Sequence, residues 1–280
     1  MKLGFNLLLW TTHVREDQFH LVETLKKTGF DGVEIPLFEG DTAHYKKLGQ
    51  RIKDEGLSSS SVTVMIGGNA LSPEKAQRDK ALDHMKWAID CSTALGSELL
   101  CGPFHQPLGE FSGSGPSEDE KKRCAEVHKA AAQYAAQAGL KLSVEPLNRF
   151  ECYFLNTADA AADLVKRVDE PNYGYLYDTF HFHIEEKNQP ASIRKTIKAI
   201  NHVHISENDR GTPGSGQIDF ASIFKALKSS GYDGWLTVEA FGSALPDLAA
   251  ATKIWRPLFD KPEDVYQGAF KLMREGWAQA

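Results

Sequence analysis

Residues 137–151 read QAGLKLSVEPLNRFE. An amphipathic stretch ends at Gly139, a short apolar run follows from Leu140 to Val144, and the run stops on Glu145. Glycine just past a helix end supplies the left-handed conformation that terminates it, and a run this short has strand length. The strand then meets a carboxylate, a proline, an amide, a guanidinium and a second carboxylate. Such an ending aims the strand's end at chemistry.

The same punctuation of helix, glycine stop and strand recurs along the chain. It appears as KTGFDGVEI (27–35), DEGLSSSSVTVMI (54–66), ALGSELL (94–100) and SSGYDGWLTVE (229–239). KLGFNLL (2–8), NYGYLYD (172–178) and NHVHIS (201–206) complete a set of eight strands. Helical stretches over 15–28, 73–95, 118–138, 157–168 and 219–230 lie between them. Strands alternating with helices form right-handed βαβ units on a parallel sheet, and eight such units suit a closed barrel better than an open sheet. The pattern predicts an α/β fold, a (β/α)8 TIM barrel occupying residues 1–280 as one domain, with an additional C-terminal helix over 262–278. GEFSGSGPSEDE (109–120) reads as a surface loop running into an acidic helix start.

Composition limits the function. A net charge of −6 among 280 residues argues against a nucleic-acid partner, which requires clustered Lys and Arg. Cys91, Cys101, Cys124 and Cys152 show neither C-x-x-C spacing nor the density of a disulfide scaffold, which fits the cytoplasm. No apolar stretch approaches the length of a membrane span, and the N-terminal apolar run turns polar by Thr11.

In a barrel of this kind the functional groups sit at the C-terminal ends of the strands. The last four strands end on Glu145, Asp178, His204 and Glu239. Any one of them alone reads as an ordinary strand-end residue. Three carboxylates converging on one mouth, however, require a cation, because burying them unpaired is costly. An oxygen-rich set with one imidazole suits Mn²⁺, Mg²⁺ or Co²⁺, and leaves zinc open.

EPLNRFE (145–151), DTFHFHIEE (178–186), HVHISENDR (202–210), PGSGQIDF (213–220), VEAF (238–241) and IWR (254–256) together resemble the ketose 3-epimerases, the D-tagatose and D-psicose (allulose) 3-epimerase group of the xylose-isomerase-like barrels. The resemblance runs through nearly the whole chain in order. It implies metal ligands at Glu145, Asp178, His204 and Glu239, with Mn²⁺ the usual metal and Co²⁺ an alternative. It also implies sugar contacts from Glu151, His181 and Arg210, and a homodimer or homotetramer. Read without the family, Arg210 is equally a solvated loop charge, His181 a helix-start residue and Glu151 a partner for Arg149.

Inverting C3 of a ketose means removing a proton beside the C2 carbonyl and returning one to the other face. A divalent ion on O2 and O3 would stabilise the enediolate, and two bases on opposite faces would exchange the proton. Glu145 and Glu239 are the natural pair. The chain departs from the family pattern in FNLLLW (5–10), where Tyr-rich segments are usual, and in FHQPLGEF (104–111), where a Trp-Pro is usual. Leu7, Leu8, Leu9 and Gln106 therefore alter the contacts expected for the distal sugar carbons. SENDR likewise replaces the commoner Gly-Glu-(Ser/Ala)-Asn-Arg. His13, His44 and His105 read as surface histidines more readily than as groups lining the mouth. Trp10 fits barrel-end packing and sugar stacking equally. No Gly-rich phosphate loop stands at the usual barrel position, which favours a free sugar.

Other functions share parts of this pattern. An aldose–ketose isomerase of the hydroxypyruvate or xylose kind uses the same enediolate chemistry between C1 and C2. A three-zinc apurinic endonuclease relative needs more histidines and a basic groove. A catalytically inactive sugar-binding protein has no need of both Glu145 and Glu239.

Overall fold

The computed structural model describes residues 1–280. Eight parallel strands close into a barrel in sequence order: β1 (Lys2–Asn6), β2 (Gly32–Pro36), β3 (Ser58–Val62), β4 (Leu99–Gly102), β5 (Lys141–Val144), β6 (Tyr173–Asp178), β7 (Ile200–Ile205) and β8 (Trp235–Val238). The helices are α1 (His20–Thr28), α2 (Thr42–Asp54), α3 (Lys75–Leu95), α4 (Glu118–Ala136), α5 (Ala158–Val168), α6 (Thr179–Glu185), α7 (Gln189–Thr196), α8 (Phe220–Ser229), α9 (Pro246–Thr252) and α10 (Pro262–Gln279). The expected TIM barrel is present. The C-terminal helix packs against α8 and α1, so it closes the outer ring between its two ends. No helix is long and apolar enough to cross a membrane.

Alternation along each strand separates two layers. Leu142 and Val144 of β5, Tyr173, Tyr175 and Tyr177 of β6, and Leu236 and Val238 of β8 join the large apolar cluster between sheet and helices. Their neighbours on the other face point into the barrel, where Leu99, Cys101, Leu176 and Trp235 form a smaller cluster. Trp235 needs room there. A Cβ on Gly32 would stand 2.5 Å from its ring and 2.4 Å from the Ser58 carbonyl, so only glycine fits. On the inward face above Trp235 lie Asn6, Glu34, Ser60, His202, His204 and Thr237, all buried. This polar lining breaks the usual apolar filling of a barrel.

Helix starts follow local chemistry. Ser117 and Glu120 form a reciprocal capping box, with the Ser117 amide donating to Glu120 Oε2 at 2.7 Å, which turns the 109–120 loop into α4. Expected helix limits agree with those observed to within two residues except at α1, where a 3₁₀ turn over Glu16–Gln18 precedes the helix. The FNLLLW segment forms a second 3₁₀ turn, Leu7–Leu9, with Asn6 Oδ1 accepting from the Leu8 amide at 2.9 Å.

Candidate active site

Glu145, Asp178, His204 and Glu239 come together at the C-terminal end of the barrel. Register explains this: Asp178 pairs with His204 across β6 and β7, His204 pairs with Thr237 across β7 and β8, and Glu239 lies two residues beyond Thr237 on the same face. Glu145 continues the β5 ladder, its amide donating to the Gly102 carbonyl at 2.9 Å. One ligand atom from each of the four lies within 4.8 Å of the others, and all four residues are buried.

His204 is held by its far nitrogen. Nε2 lies 2.7 Å from Glu34 Oε1, and Nδ1 faces Glu239 Oε1 at 3.4 Å and Asp178 Oδ2 at 3.7 Å; burial opposes a charge on the ring, but Glu34 and then Glu239 outweigh it and raise the imidazole well above its ordinary range. That Nδ1 is buried without a hydrogen-bond partner. Glu34 in turn accepts from Asn6 Nδ2 at 3.0 Å, Ser60 Oγ at 2.9 Å and His202 Nε2 at 2.8 Å. Burial opposes ionisation of Glu34, but the flanking His204 and His202 outweigh it and hold the carboxyl well below its ordinary range.

The charge balance of the cluster points to a cation. Burial, then the Glu239 charge, push the Glu145 carboxyl well above the usual range. Glu239 resists the same burial because His204 and Arg210 hold it down. A buried imidazole nitrogen facing two carboxylate oxygens, where a divalent cation would take the place of the ring proton, is the donor set such a cation takes. The residues present therefore fit a metal.

Above the cluster lies a cavity of about 180 Å³ onto which Glu145, Glu151, His181, Arg210 and Glu239 open. Arg210 has a left-handed backbone (φ 68°) and is buried, with its guanidinium stacked 3.9 Å from the Phe180 ring and Nη1 donating to Glu239 Oε2 at 2.5 Å. It is a fixed cation, contrary to the reading of a solvated loop charge. Glu207 anchors the turn that carries it, accepting from the amides of Asn208 at 2.9 Å, Gly214 at 2.8 Å and Gln217 at 3.1 Å. His181 lies in the first turn of α6, where Asp178 caps through Phe180 N at 2.7 Å. The Asn148 amide approaches His181 Nδ1 as a donor at 2.9 Å and Arg210 Nη2 approaches Nε2 as a donor at 2.8 Å, with Glu145 Oε1 3.6 Å from Nε2. Glu151 Oε1 accepts from Asn148 Nδ2 at 2.8 Å, and Arg149 pairs instead with Glu185 at 3.1 Å.

A family model for the xylose isomerase-like TIM barrel matches residues 22–275. A probable ketose 3-epimerase of Synechocystis is 31% identical over 277 residues, covering 98% of this chain and 96% of that protein. The chain belongs to the ketose 3-epimerase family. A second member, the ketose 3-epimerase of Arthrobacter globiformis, is 30% identical over 279 residues, covering 98% of this chain and 96% of its own. The crystal structure of a Methylomonas D-allulose 3-epimerase in complex with D-allulose superposes with a TM-score of 0.91 at 27% identity, covering 98% of this chain and 96% of that one.

Within this ketose 3-epimerase family member, sequence reasoning missed the residues beneath the cluster. Glu34, His202, Cys101 and Asn6 were absent from the expected site, although Glu34 alone interrupts the apolar run of β2 and His202 shares the inward face with His204. Replacing Glu34 by Gln turns an amide N–H toward donors that now share a carboxylate, and loosens the His204 ring. Metal affinity measured by calorimetry is expected to fall about 10–100-fold.

The remaining histidines depart from expectation. His105 is not exposed: it is buried against Phe154 with both ring nitrogens unpartnered. His13 and His44 are half-buried and stack on each other at 4.3 Å. Trp10 packs on Phe5 and Tyr266 at 5.1 and 6.2 Å, the packing alternative. Burial, followed by His128, lowers His105 to about 3, and burial lowers His128 to about 4. Both protonate near 6.5 when unfolded, so the unfolded chain binds more protons and stability is lost as pH falls from about 6.5 toward these values. At pH 5, His105→Leu should therefore show an acid loss of stability smaller by about 2 kcal/mol than the parent, measured by urea unfolding.

Proposed function

We propose that this protein is a metal-dependent isomerase that inverts C3 of a free ketose of the D-tagatose, D-psicose or ribulose type. The observation that carries the reading is the inward-facing set Glu145, Asp178, His204 and Glu239, with His204 Nδ1 facing two of the carboxylates, directly beneath a cavity that a sugar can enter. Those four residues would hold the cation, with Mn²⁺ the best match and Co²⁺ or Mg²⁺ as alternatives. When bound, it supplies Lewis-acid stabilisation of negative charge at the C2 and C3 oxygens.

The chain's own residues supply the rest. Glu145 and Glu239, from β5 and β8, act as the two bases on opposite faces of C3. Each must take a proton from C3 and return one while holding the cation through a carboxylate oxygen. Arg210, held by Glu239 and by His181 at 2.8 Å, would donate to a substrate oxygen and orient the carbonyl end of the sugar, with His181 beside it on the cavity wall. Glu151, steadied by Asn148, would accept from a substrate hydroxyl.

Incubating metal-loaded protein with a ketose panel in D2O and locating the deuterium by NMR tests the reading. Label at C3 with appearance of the C3 epimer is the expected result. Label at C1, or at C2 of an aldose, assigns an aldose–ketose isomerase instead, and binding without any exchange assigns an inactive sugar-binding protein.

The protein is further proposed to be a cytoplasmic homodimer or homotetramer. Its four cysteines are free and buried, as suits a reducing compartment. Phe111, Phe150 and Trp255 are exposed on loops that follow β4, β5 and β8, the same end of the barrel as the site. Light scattering is expected to give a multiple of the 31.0 kDa chain mass, and a monomer at micromolar concentration removes the assignment.

A further inference from the structure

The cavity over the cluster is divided along the barrel. Every ionisable side chain that faces it comes from the β5–β8 half: Glu145, Glu151, His181, Arg210 and Glu239. The β1–β4 half closes it with Leu8, Phe38, Val62, Val64, Pro103 and Leu108 and offers no hydrogen-bonding side chain. Backbone acceptors behind that wall are already engaged, the Leu37 carbonyl by Thr63 Oγ1 at 2.7 Å and the Val64 carbonyl by His84 Nε2 at 2.8 Å.

The polar side chains of the neighbouring loops are committed elsewhere. Gln106 donates to the Glu110 carbonyl at 2.8 Å and accepts from the Phe154 amide at 3.3 Å. Asn6 is bound to Glu34 at 3.0 Å and to the Leu8 amide at 2.9 Å. Thr252, at the rim, donates to the Leu248 carbonyl at 2.7 Å.

A ketose whose C2–C3 end lies among the carboxylates extends its far end across the cavity toward the apolar wall. A hydroxyl there leaves water without gaining a partner, whereas a methyl group gains by leaving water. We infer that the sugar this site takes ends in a methyl group: a terminally deoxygenated ketose of the 6-deoxyketohexose class, with its reacting end on β5–β8 and its methyl on the Leu8, Val62, Val64 and Leu108 wall. The inference rests on the ketose 3-epimerase reading of the same site.

The test uses ketohexoses and 6-deoxyketohexoses matched at C3, C4 and C5, in both the D and L series. Each is titrated by calorimetry into the metal-loaded enzyme, and its C3 hydrogen exchange in D2O is followed separately. The best 6-deoxyketose is expected to bind more tightly than its matched ketohexose and to exceed it in kcat/KM by about 10–100-fold. Val64→Thr, which keeps the shape of the wall and adds a hydroxyl, should narrow that ratio. Equal or tighter binding of the ketohexose, or binding of neither sugar, overturns the inference. Preferential binding of the 6-deoxyketose without C3 exchange upholds it and removes the epimerase reading; C3 inversion with the ketohexose preferred does the reverse.

Discussion

Exhaustive chelation of divalent cations is expected to reduce C3 epimerisation by about 10³-fold or more, with recovery on adding Mn²⁺ or Co²⁺. The size of the effect follows from what the cation would do: the hydrogen at C3 is too weakly acidic for an unaided carboxylate to remove. Stability should move with activity. A ligand present at about 1,000 times its Kd stabilises the folded state by about 4 kcal/mol, which for a chain of this size corresponds to a Tm lower by about 10 °C after chelation. Proton release supplies a second reading of the same event. Without a cation, burial and the Glu239 charge keep Glu145 protonated well into the range where a free carboxyl would ionise. Metal binding must expel that proton, so the metal Kd should rise as pH falls, and the calorimetric heat should depend on the buffer. Scanning calorimetry and activity that ignore both chelation and metal addition would remove the metal assignment together with the chemistry built on it.

What the sequence disclosed and what it concealed divide along a physical line. Glu145, Asp178, His204 and Glu239 were legible because each ends a short apolar run, and strand alternation then places all four on one face at one rim. The helices with a glycine stop and a capped start were legible for the same local reason. By contrast α2 announces itself only through Tyr45, Leu48 and Ile52 among lysines and a glycine, and α6, α7 and α9 are too short to show a period. Glu34 holds His204 from a strand 170 residues away in sequence, so nothing local to either residue reports the pair. His105 shows the same limit from the other side. Loop residues are usually exposed, and only the tertiary packing of Phe154 over it makes this one buried. The departures in FNLLLW and FHQPLGEF were visible as departures, but their consequence needed the fold: Leu7 and Leu9 face the helix layer, Leu8 faces the cavity, and Gln106 bonds within its own loop.

Replacing either Glu145 or Glu239 by Gln is expected to lower C3 epimerisation by about 10³-fold or more while metal binding persists, since Gln keeps the shape and one oxygen ligand but cannot accept a proton. The two variants should differ in what survives. If the bases stand on opposite faces of C3, each variant keeps one of them, and that base can still remove the C3 proton from the epimer whose hydrogen points toward it. Solvent deuterium should then enter that epimer without inversion, and the other variant should show the same behaviour for the opposite epimer. The surroundings of the two carboxylates make the experiment asymmetric in a further way. Glu239 is tied to Arg210 at 2.5 Å and faces His204 at 3.4 Å, so its loss leaves the buried guanidinium with Asp178, at 3.4 Å, as its remaining carboxylate partner. Glu145 has only the His181 ring at 3.6 Å, and without a cation burial and the Glu239 charge already hold it neutral. Glu239→Gln should accordingly cost more stability than Glu145→Gln, because a buried charge that loses its nearest partner is costly whereas a neutral amide in place of a carboxyl already held neutral is not. Calorimetric metal titration of each variant, run beside the deuterium experiment, separates loss of a base from loss of a ligand. Near-parental inversion by either variant with metal bound would mean that the proton is carried by another group.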